Sequence, residues 1–192
     1  MLRLLAGVMV LIAATGCVRG SSYSFQGGEL KPLAEAAPIE LTDQNGQPFS
    51  LAAQEGKAVL LYFGYTTCPD ACPTTLSDWV EVKRLLGDKA DQVEFVMVTV
   101  DPDRDTQAKL LDYMSFFDPS FYGLTGDQAT ITMIEQNYGI VAVKDPIEGS
   151  ATGYLMTHTT SFWVVDPDGK LRLTYALGTD PAVVAKDLEH LI

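Results

Sequence analysis

Histidine, cysteine and basic residues are all scarce in this 192-residue chain: it has 2 His and 3 Cys, and its 13 Lys and Arg face 25 Asp and Glu. Each scarcity excludes something. Two histidines cannot build a three-histidine metal site, and three cysteines cannot close a four-thiolate zinc site or staple a small disulfide-rich domain. A formal net charge of −12 offers no basic surface to a nucleic-acid backbone, so nucleic acid is not an expected partner. Such acidity would suit a basic partner surface, but solubility alone is the favoured explanation. The chain has no internal repeat and no long low-complexity tract.

The N-terminus MLRLLAGVMVLIAATGC has one basic residue, an apolar core and a small-residue end, which is the anatomy of a bacterial export signal over residues 1–16. The apolar stretch from Leu4 to Thr15 is shorter than the roughly 20 residues that span a bilayer. Cys17 after Gly16 resembles the acylated cysteine of a lipobox, with Ala14 where leucine is commonest. Cleavage there would remove Arg3, leave a net charge of about −13, and tether the rest by lipid to the periplasmic face of a membrane. Residues 17–37, rich in Gly, Ser, Ala and Glu, read as a flexible tether, and 38–192 as one domain with a single core.

With Cys17 assigned to lipid, two cysteines remain, in FGYTTCPDACPTTL from Phe63 to Leu76. Ala58 to Tyr65 reads as a buried strand, and Leu76, Trp79, Val80 and Leu86 recur at helical spacing from Pro73 onward. Cys68 and Cys72 therefore stand where a strand meets a helix. The helix dipole and its unpaired N–H groups favour a thiolate there. Thiol-disulfide oxidoreductases favour two residues between the cysteines, and here there are three, Pro69, Asp70 and Ala71. Such a pair can close a disulfide, serve only as a structural staple, or chelate a soft ion. In an oxidising periplasm it would need a reductant before it could bind metal.

A third ligand must come from the two histidines. His190 sits in the last turn of a helix opened by Asp180 and Pro181, where the dipole explains it. His158 stands directly before the apolar strand Phe162 to Val165 and the turn Asp166 to Gly169. Spacing alone makes it an ordinary loop histidine, but beside two thiolates the ligand reading is the stronger one. Two sulfurs and one imidazole form a soft, low-coordinate set that suits Cu(I) first; Cu(II) would want further nitrogen or oxygen ligands.

Four segments together resemble the Sco/SenC copper proteins: LTDQNGQPFSL from Leu41, YFGYTTCPDACPTTL from Tyr62, TVDPDRDT from Thr99, and His158 before TSFWVVDPDG. The resemblance runs from about Pro38 to the C-terminus. It implies a thioredoxin-like fold and assistance in assembling the binuclear copper centre of cytochrome c oxidase, with an oxidase subunit as copper acceptor and a thioredoxin-like periplasmic reductant as partner. It places the copper ligands on Cys68, Cys72 and His158, and marks Asp101 as the aspartate of the family's motif, completed by Arg104 and Asp105.

The residues around Asp101 agree with its location. VEFVMVTV from Val93 to Val100 reads as a central strand buried on both faces, and Asp101 and Pro102 end it. Functional groups collect outside the carboxyl ends of parallel strands, so Asp101 would share a crevice with the cysteines, orienting ligands or recognising a partner. Alternatively it only begins a turn while Asp103 or Asp105 caps the next helix. Met97, Met114 and Met133 read as core filling; Met156, two residues before His158, shares its face if that segment is extended. Tyr65, Tyr138 and Tyr154 show no spacing that separates function from packing.

Asn45-Gly46 predicts an opening hairpin. Strands follow at 58–63, 93–100, near 140–144, 161–165 and 170–176, with a short apolar run at 121–124 and helices at 73–86, 104–117, 127–137 and from Pro181. The whole predicts an α/β fold: a thioredoxin-like sandwich with a central mixed sheet and an N-terminal hairpin. Asp145 to Thr157 lacks periodicity and reads as a mobile loop carrying His158. A copper carrier is the preferred reading. A thiol-disulfide reductase or thiol peroxidase of the same fold is the alternative, although such enzymes place a cis-proline where this chain has His158 to Ser161. A copper- or redox-sensing regulator would use the same residues.

Overall fold

Two nearly uninterrupted apolar runs form the centre of the molecule because only a strand covered on both faces hides every side chain. The computed structural model describes residues 23–147 and 153–192; the stretch read as an export signal, Cys17 and the start of the stretch read as a tether lie outside them. Ala58–Gly64 (β4) is buried at every position and pairs in parallel with Val93–Thr99 (β5). The elements before them are Gly28–Glu35 (β1), Glu40–Thr42 (β2) and Pro48–Ser50 (β3). After β4 come Ala71–Leu86 (α1), β5, Gln107–Ser115 (α2), Tyr122–Leu124 (β6), Gln128–Asn137 (α3), Ala142–Pro146 (β7), Tyr154–His158 (β8), Phe162–Val165 (β9), Lys170–Tyr175 (β10) and Pro181–Leu191 (α4).

The main sheet has the order β1-β10-β9-β4-β5-β6 and is mixed. β4, β5 and β6 are parallel, whereas β9, β10 and β1 run antiparallel to their neighbours. Alternation along β4 sends Tyr62 toward Trp79 of α1 and Phe63 toward Tyr138 at the end of α3, so both faces are covered. β2 and β3 form the opening hairpin around Asn45 and Gly46.

Three expectations change. The stretch read as tether contains β1, which pairs with β10; Asp187, fully buried in α4, accepts hydrogen bonds from the N–H groups of Gln26 and Gly27 and from the hydroxyls of Tyr23 and Tyr175. That strand alternates no apolar face, because it is an exposed edge, so periodicity could not reveal it. The stretch read as a loop from Asp145 to Thr157 is in large part the hairpin of β7 and β8, with His158 paired opposite Ala142; residues 148–152 lie outside the described ones. Met97 and Met114 fill the core as expected, but Met133 is 55% exposed.

Glu135 of α3 is a buried carboxylate whose Oε1 has no hydrogen-bond partner among the described residues. Burial raises its pKa from 4.5 to about 7. A raised acid pKa favours the folded state below the unfolded value, and that advantage disappears as pH rises through about 7. Glu135→Gln should therefore stabilise the protein at pH 8 by on the order of 1–2 kcal/mol, with solvent screening allowed for, and much less at pH 5. Urea unfolding at both pH values measures this; equal effects at the two pH values would contradict it.

Candidate metal centre

β4 ends at Gly64, and the chain crosses the sheet's end as Tyr65 to Asp70 before α1 begins at Ala71, two residues earlier than the spacing predicts. Cys72 is thus inside the first helical turn. Pro73 is tolerated beside it because first-turn N–H groups lack helical partners. Asp70 stands at the N-cap without a side-chain cap bond. The sulfur of Cys68 takes that role: the Cys72 N–H donates to Cys68 Sγ at 3.4 Å.

Both sulfurs and the Nε2 of His158 lie within 4.8 Å of one another. Cys72 Sγ and His158 Nε2 are 3.6 Å apart. An ion about 2.3 Å from sulfur and 2.0 Å from nitrogen, with trigonal angles, sets such a pair about 3.7 Å apart, so the donors already stand near metal-binding separation. The Nδ1 of His158 lies 2.9 Å from the Thr159 carbonyl. A carbonyl only accepts, so Nδ1 carries the proton and Nε2 presents its lone pair to the sulfurs.

The two thiols are unlike. Cys68 is half-buried and its pKa falls to about 3, chiefly through the side-chain hydrogen bond from Cys72, with the N–H groups of Asp70 and Cys72 also acting against desolvation. Cys72 is fully buried, and desolvation, then the neighbouring Cys68 thiolate, push its pKa up. Without metal the pair shares one proton, held on Cys72. This is the arrangement of an accessible nucleophile with a protected second thiol.

TVDPDRDT anchors both halves of the site. Asp105, buried at the end of β5, accepts from Thr66 N–H at 3.0 Å, Thr66 Oγ1 at 2.6 Å and Thr99 Oγ1 at 2.6 Å, and so fixes the cysteine loop. It does not cap α2; Thr106 does, accepting from the Lys109 N–H. Asp101, also fully buried, pairs with the guanidinium of Arg104 and accepts from Tyr154 Oη at 2.7 Å. Arg104 covers the Tyr154 ring at 3.7 Å and donates to the Tyr154 carbonyl at 2.8 Å. Asp101 therefore does begin a turn, accepting on its carbonyl from the N–H groups of Arg104 and Asp105, while its carboxylate fastens the hairpin that carries His158.

Three contributors lay beyond the sequence reading. Gly64 leaves the space Cys72 fills: a Cβ there would come within 3.0 Å of Cys72 Sγ and 2.7 Å of the Tyr62 ring. Tyr62 Oη donates to Cys72 Sγ at 3.4 Å. Tyr65 sets its ring edge-on to His158 at 5.5 Å and accepts the Met156 N–H on its hydroxyl at 3.2 Å. Met156 itself is buried in the core.

The SCO1/SenC family model matches residues 28–192. The chain belongs to the SCO1/SenC family. A SCO2-like protein of Rickettsia felis is 31% identical over 151 residues, covering 79% of this chain and 74% of that one. Bradyrhizobium japonicum ScoI, solved with copper bound, is 40% identical at a TM-score of 0.76, covering 83% of this chain and all of that one. Apo Sco1 of Thermus thermophilus, 33% identical, superposes at 0.78 over 90% of this chain and all of its own. These likenesses give the SCO1/SenC chain the thioredoxin-like fold that its mixed sheet displays.

Asp101→Asn keeps the size and part of the hydrogen bonding of the latch but removes the carboxylate charge that faces Arg104. It should cost about 3 kcal/mol of stability, at the low end for a broken buried pair, and loosen β7 and β8 first. Hydrogen exchange of the hairpin amides reads this directly. Unchanged protection of Tyr154 to His158 would remove Asp101 from the latch.

Proposed function

We propose that this SCO1/SenC protein carries copper on Cys68, Cys72 and His158 and delivers it to a cytochrome c oxidase subunit during assembly of the binuclear copper centre. The observation that carries this reading is the convergence of two sulfurs and one correctly presented imidazole nitrogen from segments 86 residues apart in the chain. The donor set is soft and low-coordinate, as Cu(I) prefers. Copper-bound ScoI of Bradyrhizobium japonicum supports the choice of ion, and family membership supports the acceptor.

The unequal thiols favour a second role at the same site. An accessible Cys68 thiolate beside a protonated Cys72 can reduce a disulfide: Cys68 attacks one sulfur, and Cys72 then resolves the mixed disulfide, leaving the protein oxidised and the partner's thiols reduced. The protein would thereby keep the acceptor's cysteines ready for metal. A thioredoxin-like periplasmic reductant would restore the pair. Work at a membrane follows from the lipobox-like Cys17 and its export signal; no helix among the described residues is long and apolar enough to cross a bilayer.

Reduced protein should bind one copper, with a sulfur-to-copper charge-transfer band for Cu(II), and oxidation to the disulfide should abolish tight binding. His158→Ala should weaken copper retention by at least tenfold while leaving disulfide exchange largely intact, whereas Cys72→Ser should impair both. Anaerobic copper titration alongside a disulfide-reduction assay decides. Unaltered copper affinity in His158→Ala, with exchange lost, would replace the carrier by a reductase.

Cys17→Ser should abolish acylation and release the protein from the membrane fraction. Labelling with radioactive palmitate and fractionation check this, and undiminished labelling of the variant would contradict the anchor.

A further inference from the structure

Copper binding places an electrostatic demand on Cys72 that the ligands themselves do not meet. In a metal-bound site both sulfurs are thiolates. Cys68 is half-open to solvent and takes an N–H from the first turn of α1. Cys72 is fully buried, where a charge without hydrogen-bond donors is costly.

Two donors approach its sulfur from the β4 side. The Tyr65 N–H lies at 3.5 Å and the Tyr62 hydroxyl at 3.4 Å. Tyr62 is itself fully buried in the sheet, so its hydroxyl has no recourse to water, and a buried phenol O–H seeks a partner. Its ring stands edge-on to His158 at 6.0 Å, so one side chain touches two of the three donors. The packing is built for this contact. Tyr62 and Gly64 are two residues apart on one face of β4, and the place of a Gly64 side chain is taken by the Tyr62 ring and the Cys72 sulfur. An apolar residue at 62 would fill the same core volume against Trp79, and packing alone does not require the hydroxyl.

We propose that Tyr62 is a positioning residue of the metal site: its hydroxyl donates to the Cys72 sulfur, stabilises that buried sulfur in its reduced and metal-bound forms, and sets how strongly it gives electron density to the ion. The assignment rests on the copper reading for the metal-bound form and on geometry alone for the metal-free one. A hydrogen bond to a ligand sulfur lowers the energy of its lone pairs, which is how such bonds tune sulfur-ligated metals.

The test is Tyr62→Phe in the full chain, held in detergent, with folding checked by circular dichroism. Copper affinity should fall about tenfold, and the Cu(II) charge-transfer band should move to longer wavelength. The metal-free protein gives an independent readout in a glutathione redox buffer. There the Cys68 thiolate opens oxidised glutathione to a mixed disulfide and one glutathione thiolate; Cys72, its proton passing to the buffer, displaces the second. Loss of the hydrogen bond should favour the protein disulfide by about fivefold, roughly 20 mV of reduction potential. A ring-fluorinated tyrosine at 62, a stronger donor of the same shape, should move band and equilibrium the other way, and it decides if the Phe variant does not fold. Wild-type values for band energy and glutathione equilibrium in a folded variant overturn the assignment even with copper binding intact. If the unaltered protein takes up no copper, the copper reading fails, and the glutathione equilibrium alone decides Tyr62.

Discussion

Asp105 accepts three hydrogen bonds at 2.6–3.0 Å, two from Thr66, 39 residues away, and one from nearby Thr99, and the cysteine loop takes its position from them. Burying a carboxylate in this way is costly unless donors surround it. Burial raises the Asp105 pKa on balance, while the hydrogen bonds from Thr66 and Thr99 pull against it. Asp101, four residues earlier, does the equivalent for the other half of the site through Arg104 and Tyr154. The end of β5 is thus the reference point for both sulfurs and for the imidazole, although it supplies none of the three donors. β5 can serve so because it is buried against β4 and β6 and cannot shift without disrupting the core.

The chemistry follows from unequal burial within one short motif. A cysteine just outside α1 accepts an amide of the helix's first turn and remains half-open. The next, four residues on, is carried inside by the helix and packed against Gly64 and Tyr62. One thiol is therefore poised as a nucleophile while the other is shielded. Binding a soft cation and exchanging a disulfide both draw on that difference. The same geometry supports both roles, and only His158 separates them, because an imidazole donor adds to metal affinity without being needed for thiol exchange.

Much of this was legible in the sequence because the informative signals were local. A continuous apolar run identifies β4 and β5, Asn45-Gly46 identifies a hairpin, and two cysteines after a buried strand point to the sulfurs that meet His158. What remained hidden depends on contacts between distant segments. Asp105 precedes a helix and so resembles a cap, and only the fold reveals that it faces Thr66 and Thr99. Tyr62 looks like any aromatic residue of a strand, and nothing in its neighbours announces a sulfur across the strand's end. β7 overlaps the strand expected near 140–144, but β8 escapes notice because Tyr154 to His158 carry no alternating apolar pattern.

Departures from local rules nonetheless converge on one place. A glycine in an otherwise bulky buried strand weakens it, two buried carboxylates at a strand end need donors, and a proline in a helix is tolerated only in the first turn. Gly64 departs from the first of these rules four residues before Cys68, and Asp105 and Asp101 from the second where they fasten the cysteine loop and the His158 hairpin; each has a compensating contact, and Pro73 keeps to the one permitted turn. Glu135 breaks one too, yet its Oε1 has no hydrogen-bond partner among the described residues. The contrast separates two kinds of buried carboxylate. One kind is surrounded by donors because it positions a site. The other, Glu135, is disfavoured as a carboxylate by its burial, with one oxygen left unpartnered among the described residues.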